Sequence, residues 1–131
     1  YALQGLYQWL VAGGNARDII AQLTSDANAE KADAEFLAVL VSGTIEDAAS
    51  LESVIAPALD RAIAQVSPIE RACVMLGAYE LKHRVEVPLK VAINEAIELA
   101  KAFGGADGHK FVHGVLDRIA PILRPGEARA R

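Results

Sequence analysis

The sequence predicts an all-α fold, a single compact helical domain of about seven helices. Three observations carry that expectation. Apolar residues make up 53% of the chain but aromatics only 5%, a balance of Leu, Ile, Val and Ala that favours helix over sheet. Those residues recur at helical spacing in almost every segment. No segment shows the strict alternation of a strand, and there is no internal repeat and no glycine-rich phosphate loop. At 131 residues the length suits one domain, residues 1–131, able to bury most of its unfolded surface.

Tyr1 to Val11 reads as a helix with Leu3, Leu6, Tyr7 and Leu10 on one side, ended by Gly13-Gly14-Asn15. Ala16 to Leu23 is a short helix carrying Ile19, Ile20 and Leu23, and Thr24 to Glu30 is a polar loop. A longer helix runs from about Ala32 to Asp47, with Phe36, Leu37, Leu40, Val41 and Ile45 inward. Ser50 to Leu59 repeats the pattern through Leu51, Val54, Ile55 and Leu59, and Pro57 within it predicts a kink or an early end.

Ser67-Pro68-Ile69-Glu70 is the clearest helix start. Serine caps, proline takes the first turn, and glutamate three residues on can return a bond to the serine N–H. The helix that follows is apolar nearly all round, through Ile69, Cys73, Val74, Leu76, Ala78 and Leu81, so it is expected at the centre. Glu80 falls on that stripe and needs a partner. Lys82, His83 and Arg84 load the last turn with positive charge, which suits the helix dipole.

A tight Val85-Glu86-Val87 link leads to the next helix, where Pro88 suits the first turn. Leu89, Ile93, Ala96, Ile97, Ala100 and Phe103 share one face; Lys90, Asn94, Glu98 and Lys101 share the other. Gly104-Gly105 ends it. Asp107 stands where an N-cap should, with a carboxylate able to accept N–H bonds of the next turn. Phe111, Val112, Val115, Leu116 and Ile119 form the last stripe, with Lys110, His113 and Asp117 away from it. Past Pro121, residues 122–131 read as a polar, frayed tail.

A single cysteine, Cys73, excludes an internal disulfide and a multi-cysteine zinc site, and it reads as core. No apolar run approaches the roughly 20 residues of a membrane span. No signal peptide is visible, so a cytoplasmic location is the default. The chain opens on Tyr1 inside a helical pattern, from which the natural start is expected to lie further upstream. The net charge of −4 argues against a general nucleic-acid binder. Its distribution is uneven. Residues 1–60 hold two basic and nine acidic side chains, and residues 61–131 hold eleven basic and eight acidic. The second half can therefore still offer a local basic surface.

Asp107, His109, Lys110 and Phe111 are the strongest functional candidates. One reading is a capped helix start with a core phenylalanine and solvated neighbours. The other is a contact to single-stranded RNA: an aromatic ring stacks on a base, lysine neutralises phosphate, and an acidic group accepts from a base amino group. His109 and His113, four residues apart, could share a metal, but no third ligand is placed. No acid–base pair, nucleophile arrangement or cofactor motif stands out, so neither enzymatic activity nor a cofactor is expected.

The stretches ALQGLYQW, SPIERACVMLGAYELKHR and VPLKVAINEAIELAKAFGGADGHKFVHGVLDRIAPILRP together resemble the NusB-type transcription antitermination factors. The resemblance is dense from Ser67 to Pro125 and thin from Ala12 to Ala64. It implies an RNA-binding adaptor without catalysis. Its partners would be a NusE-type ribosomal protein, the boxA RNA of nascent ribosomal transcripts, and RNA polymerase with other Nus factors. Self-association into a homodimer occurs in some relatives. The implied RNA-binding residues are Asp107, Lys110, Phe111, Tyr7 of the GLYQW segment, Gln4 one turn before it, Glu70, Arg71 and Phe103. His113 departs from the asparagine common at that position. The arginine-rich arm that usually precedes the ALQ segment does not stand in this sequence; were the protein to lack it, RNA binding by this domain alone would be weak, and were it to lie upstream of Tyr1 that deduction would not apply. The alternatives are the RNA-binding domain of a ribosomal RNA cytosine methyltransferase, a protein-only scaffold, or a helical enzyme with a His109–His113 metal centre.

Overall fold

The computed structural model describes residues 9–11, 13, 14, 18, 21, 31–103 and 107–129. Within them lie six helices: α1 (Lys31–Glu46), α2 (Ala48–Ile55), α3 (Pro68–His83), α4 (Leu89–Phe103), α5 (Gly108–Leu123) and α6 (Pro125–Arg129). Residues 9–11 are helical as well, and no strand occurs among the described residues. Trp9 and Leu10 pack against the core. The Gly13 N–H donates to the Trp9 carbonyl, and Gly13 and Gly14 have φ of 76° and 99°, the left-handed geometry expected of the helix stop. The expectations for Leu3, Leu6, Ile19, Ile20, Leu23, the Thr24–Glu30 loop and the Gly104-Gly105 stop lie outside the described residues.

α1 and α2 are separated by one residue, Asp47. Leu40 and Val41 of α1 are buried, as are Leu51 and Ile55 of α2. Pro57 ends α2 early: regular helix stops at Ile55, and the chain tightens into a 3-10 turn over Ala56–Ala58. The Lys82 ammonium and the His83 ring both reach the Asp47 carboxylate, at 2.8 Å each. Together they hold its carboxyl below the usual 3.8. The positive last turn of α3 thus serves a partner beyond its own dipole.

α3 is the centre. Residues 72–78 are all buried, and α3 packs against α1, α2, α4 and α5. Full burial of each large side chain here, Met75 and Leu81 among them, contributes about 2–3 kcal/mol. Gly77 lets the helices close: a Cβ there would stand 2.9 Å from Leu116 Cδ1 and 3.3 Å from Ala96 Cβ. At Gly43 a Cβ would overlap the Tyr79 ring, so α1 meets α3 equally closely.

Only half of the expected capping box forms. The Ser67 hydroxyl accepts from the Glu70 N–H at 3.3 Å. The Glu70 carboxylate turns instead towards α5, where its Oε1 would lie 2.9 Å from a Cβ at Gly108.

α4 buries Leu89, Ala92, Ile93, Ala96, Ile97 and Ala100, as its stripe predicts. Phe103 is the exception, with 61% of its surface exposed. Pro88 stands one residue ahead of the helix, where its carbonyl accepts from Val91 and Ala92, rather than within the first turn. α5 buries Val112, Val115, Leu116, Ile119 and Ala120, and Phe111 is half-buried.

The end of the chain differs most from expectation. α5 runs through Pro121 to Leu123, and α6 follows. Between them Arg124 is 6% exposed. Its guanidinium donates to the carbonyls of Leu81 (2.8 Å), Glu80 (3.0 Å), Arg84 (2.8 Å) and Val87 (2.5 Å). The Glu80 and Arg84 carbonyls also accept the N–H groups of Arg84 and Val87, whereas those of Leu81 and Val87, at the end of α3 and in the following link, have the guanidinium as their donor. The guanidinium also meets Glu127 Oε1 at 3.1 Å, and Glu127 Oε2 accepts from the Leu89 N–H at 2.6 Å, at the start of α4. The polar residues of the expected frayed tail thus include two, Arg124 and Glu127, that serve the end of α3 and the start of α4.

Candidate functional site

Three pieces of chain converge at one end of the domain: the first turn of α3, the first turn of α5, and the segment from Ala56 to Val66. Glu70 lies against Gly108. Phe111 shares a small apolar niche with Ile55, Leu59, Ile63, Val74 and Met75. The Arg118 guanidinium donates to the Ala58 carbonyl at 2.9 Å, fastening the connecting segment onto α5. Arg61 from that segment lies over the Phe111 ring, its Cζ 5.0 Å from the centroid.

Asp107 holds the N-cap position of α5, and its carbonyl accepts from Lys110 and Phe111. Its carboxylate makes no cap bond, contrary to the sequence expectation; it faces Lys110 Nζ at 3.4 Å instead, with both side chains largely exposed. An exposed pair of this kind is worth well under about 1 kcal/mol. Either group can exchange its partner for a ligand at little cost.

Of the sequence-predicted residues, the structure gathers Glu70, Asp107, Lys110 and Phe111. Arg71 lines the same niche as Phe111, but its guanidinium is taken by Glu52 of α2, and its Nε has no partner. Phe103 is exposed at the end of α4. Gln4 and Tyr7 lie outside the described residues. His109 is half-buried, and His113 pairs with Asp117 at 3.1 Å. No group of three metal-ligating side chains occurs among the described residues. Cys73 is buried, and burial together with the Glu70 charge pushes its thiol up to about 11. Sequence reasoning missed Arg61, Asp60 and Arg118. They belong to no amphipathic stripe; Asp60 and Arg61 reach Phe111 only through the folded connection, which Arg118 of α5 fastens at the Ala58 carbonyl.

A second feature lies along α1, α3 and α4. A groove of about 550 Å³ is lined by Leu40, Leu76 and Leu99 together with Glu80, Glu95 and Glu98. Burial first, then the charge and hydrogen bond of Glu95, push the Glu80 carboxyl up to about 7. The partner that Glu80 was expected to need is therefore another carboxyl. No helix among the described residues is long and apolar enough to cross a membrane.

The described residues form an all-helical domain with a packed core and one end rich in exposed polar groups. The NusB family model matches residues 1–121. The transcription antitermination protein NusB of Burkholderia cenocepacia is 51% identical over 130 residues, covering 99% of this chain and 90% of that protein. That of Paraburkholderia phymatum is 51% identical over 129 residues, covering 98% and 89%. Among solved structures, T. maritima NusB superposes with a TM-score of 0.83 at 29% identity, over 99% of this chain and 92% of that one. A structure of antitermination factors NusB and NusE in complex with dsRNA gives 0.84 at 24% identity, over 92% and 91%. The chain belongs to the NusB family.

Proposed function

We propose that this chain is a non-catalytic transcription antitermination factor. It binds boxA-type single-stranded RNA of nascent ribosomal transcripts in the cytoplasm. It does so together with a NusE-type ribosomal protein, and joins RNA polymerase and other Nus factors. The observation that carries this is the 51% identity to proteins of that name, across 99% of the chain and 90% of theirs. The same coverage favours this reading over a domain serving a ribosomal RNA methyltransferase. The surface around Asp107, Lys110 and Phe111 supports it chemically: the exposed Lys110–Asp107 pair can open, Lys110 to meet phosphate and Asp107 to accept from a base amino group.

Fluorescence anisotropy tests it, with a boxA-type strand, a scrambled strand and a duplex, each with and without the partner. The boxA strand is expected to bind preferentially, with the partner tightening it by about 5- to 150-fold. Lys110→Ala is expected to weaken binding and to lower the log–log salt slope by about 0.7. Equal binding of boxA and scrambled strands with the partner present would leave a protein-only scaffold as the better account. Preference for the duplex would overturn the single-strand reading.

A further inference from the structure

Phe111 is the residue that would be placed under an RNA base, yet the structure gives its ring a different neighbour. Core side chains surround it in the niche, and the Arg61 guanidinium covers the ring. Asp60 holds that guanidinium by its edge, with Nε at 2.8 Å and Nη2 at 3.4 Å from the carboxylate oxygens. The side chain nonetheless remains 44% exposed.

We propose that Arg61, rather than Phe111, is the base-stacking platform of this surface. Phe111 supports the guanidinium from beneath, Asp60 fixes its plane, and its outer face receives an unpaired RNA base. A guanidinium plane stacks on a base as an aromatic ring does. The platform is held at a defined height because Arg118 ties its segment to α5 at the Ala58 carbonyl. Asp60 holds Arg61 through two bonds, at 2.8 and 3.4 Å, whereas Asp107 holds Lys110 through one contact at 3.4 Å; Arg61 keeps its partner and acts through dispersion and shape, while Lys110 exchanges its partner for phosphate. Lys110, one residue from Phe111 and 73% exposed, supplies the charge for phosphate. The division rests on the RNA reading of this surface and names which side chain does what within it.

The two roles separate by salt dependence. Binding of the boxA-type strand is measured for wild type, Arg61→Ala, Arg61→Lys and Lys110→Ala over a range of salt, with the NusE-type partner present. Both Arg61 variants are expected to weaken binding by about 5- to 100-fold with the salt slope unchanged, since a lysine ammonium offers no plane. Lys110→Ala is expected to flatten the slope. If both Arg61 variants bind like wild type while Lys110→Ala does not, the platform is wrong and the RNA reading stands. A slope lowered by about 0.7 in Arg61→Ala would make Arg61 a phosphate contact and overturn its stacking role. If wild type fails to distinguish boxA from scrambled RNA, the RNA reading fails and the platform with it.

Discussion

Replacing Glu80 with glutamine should make the protein more stable at neutral and mildly alkaline pH, even though it removes a charge from a domain that carries many. In the folded chain the Glu80 carboxyl is held up to about 7, against an ordinary 4.5. Burial disfavours its charged form, and the neighbouring Glu95 carboxyl repels it and bonds best to the protonated form. A raised acid binds more protons folded than unfolded between those two values, so stability falls as pH rises from 4.5 to about 7, then levels off. At about 1.4 kcal/mol per pH unit the full effect would be about 3 kcal/mol. The carboxyl is only half-buried, and solvent screening reduces this to about 1–2 kcal/mol. Glutamine has nearly the same volume, keeps a donor for Glu95 and cannot ionise. Urea unfolding at pH 5 and pH 8 reads the difference between variant and wild type. It should be small at pH 5 and reach about 1–2 kcal/mol in favour of glutamine at pH 8. Parallel profiles for the two proteins would refute the carboxyl pair as described.

Two further substitutions test the packing. Arg124→Met should cost about 3 kcal/mol or more in urea unfolding, because four carbonyls and the Glu127 carboxylate lose a buried partner at once. Arg124→Lys should recover only part of it, since an ammonium cannot fork across that set; a loss below about 1 kcal/mol in the methionine variant would contradict the cap. Gly77→Ala should lower the thermal midpoint, the overlap with Leu116 and Ala96 costing about 1–3 kcal/mol against about 1 kcal/mol gained in helix propensity. A raised midpoint would show that Leu116 swings clear.

What was legible in the sequence was what repeats locally. The all-round apolar run from Ile69 to Leu81 placed α3 at the centre, and Ser67-Pro68 fixed its start to the residue. The stripes of α4 and α5 gave their buried faces, because a helix spaces neighbours at fixed intervals and burial follows. Phe103 broke that logic, since periodicity does not say where neighbouring helices stop. Asp107 showed the limit at shorter range: its position as N-cap was readable, but not the choice of its carboxylate between the backbone and Lys110. Glu70 likewise left its expected capping bond for Gly108, a residue 38 positions on. At the candidate site, Lys110 and Phe111 were visible as a pair on one helix turn, whereas Arg61 reaches them from a connection with no pattern of its own. Long-range polar contacts leave no periodic trace, and Arg124 is the clearest case.

The position of Arg124 also bears on how the chain is made. Its partner Arg84 is 40 residues earlier, so at roughly 5–20 residues per second a ribosome needs about 2–8 s between adding one and the other. Throughout that interval the Leu81 and Val87 carbonyls lack the guanidinium that donates to them in the folded domain, and α4 starts without the carboxylate that receives its first N–H. The domain therefore cannot mature from its front to its back. Its central helix is finished by a residue translated 40 positions after Arg84, and a transcript cut short before Arg124 would yield a chain holding nearly the whole described apolar core without the clasp that closes it.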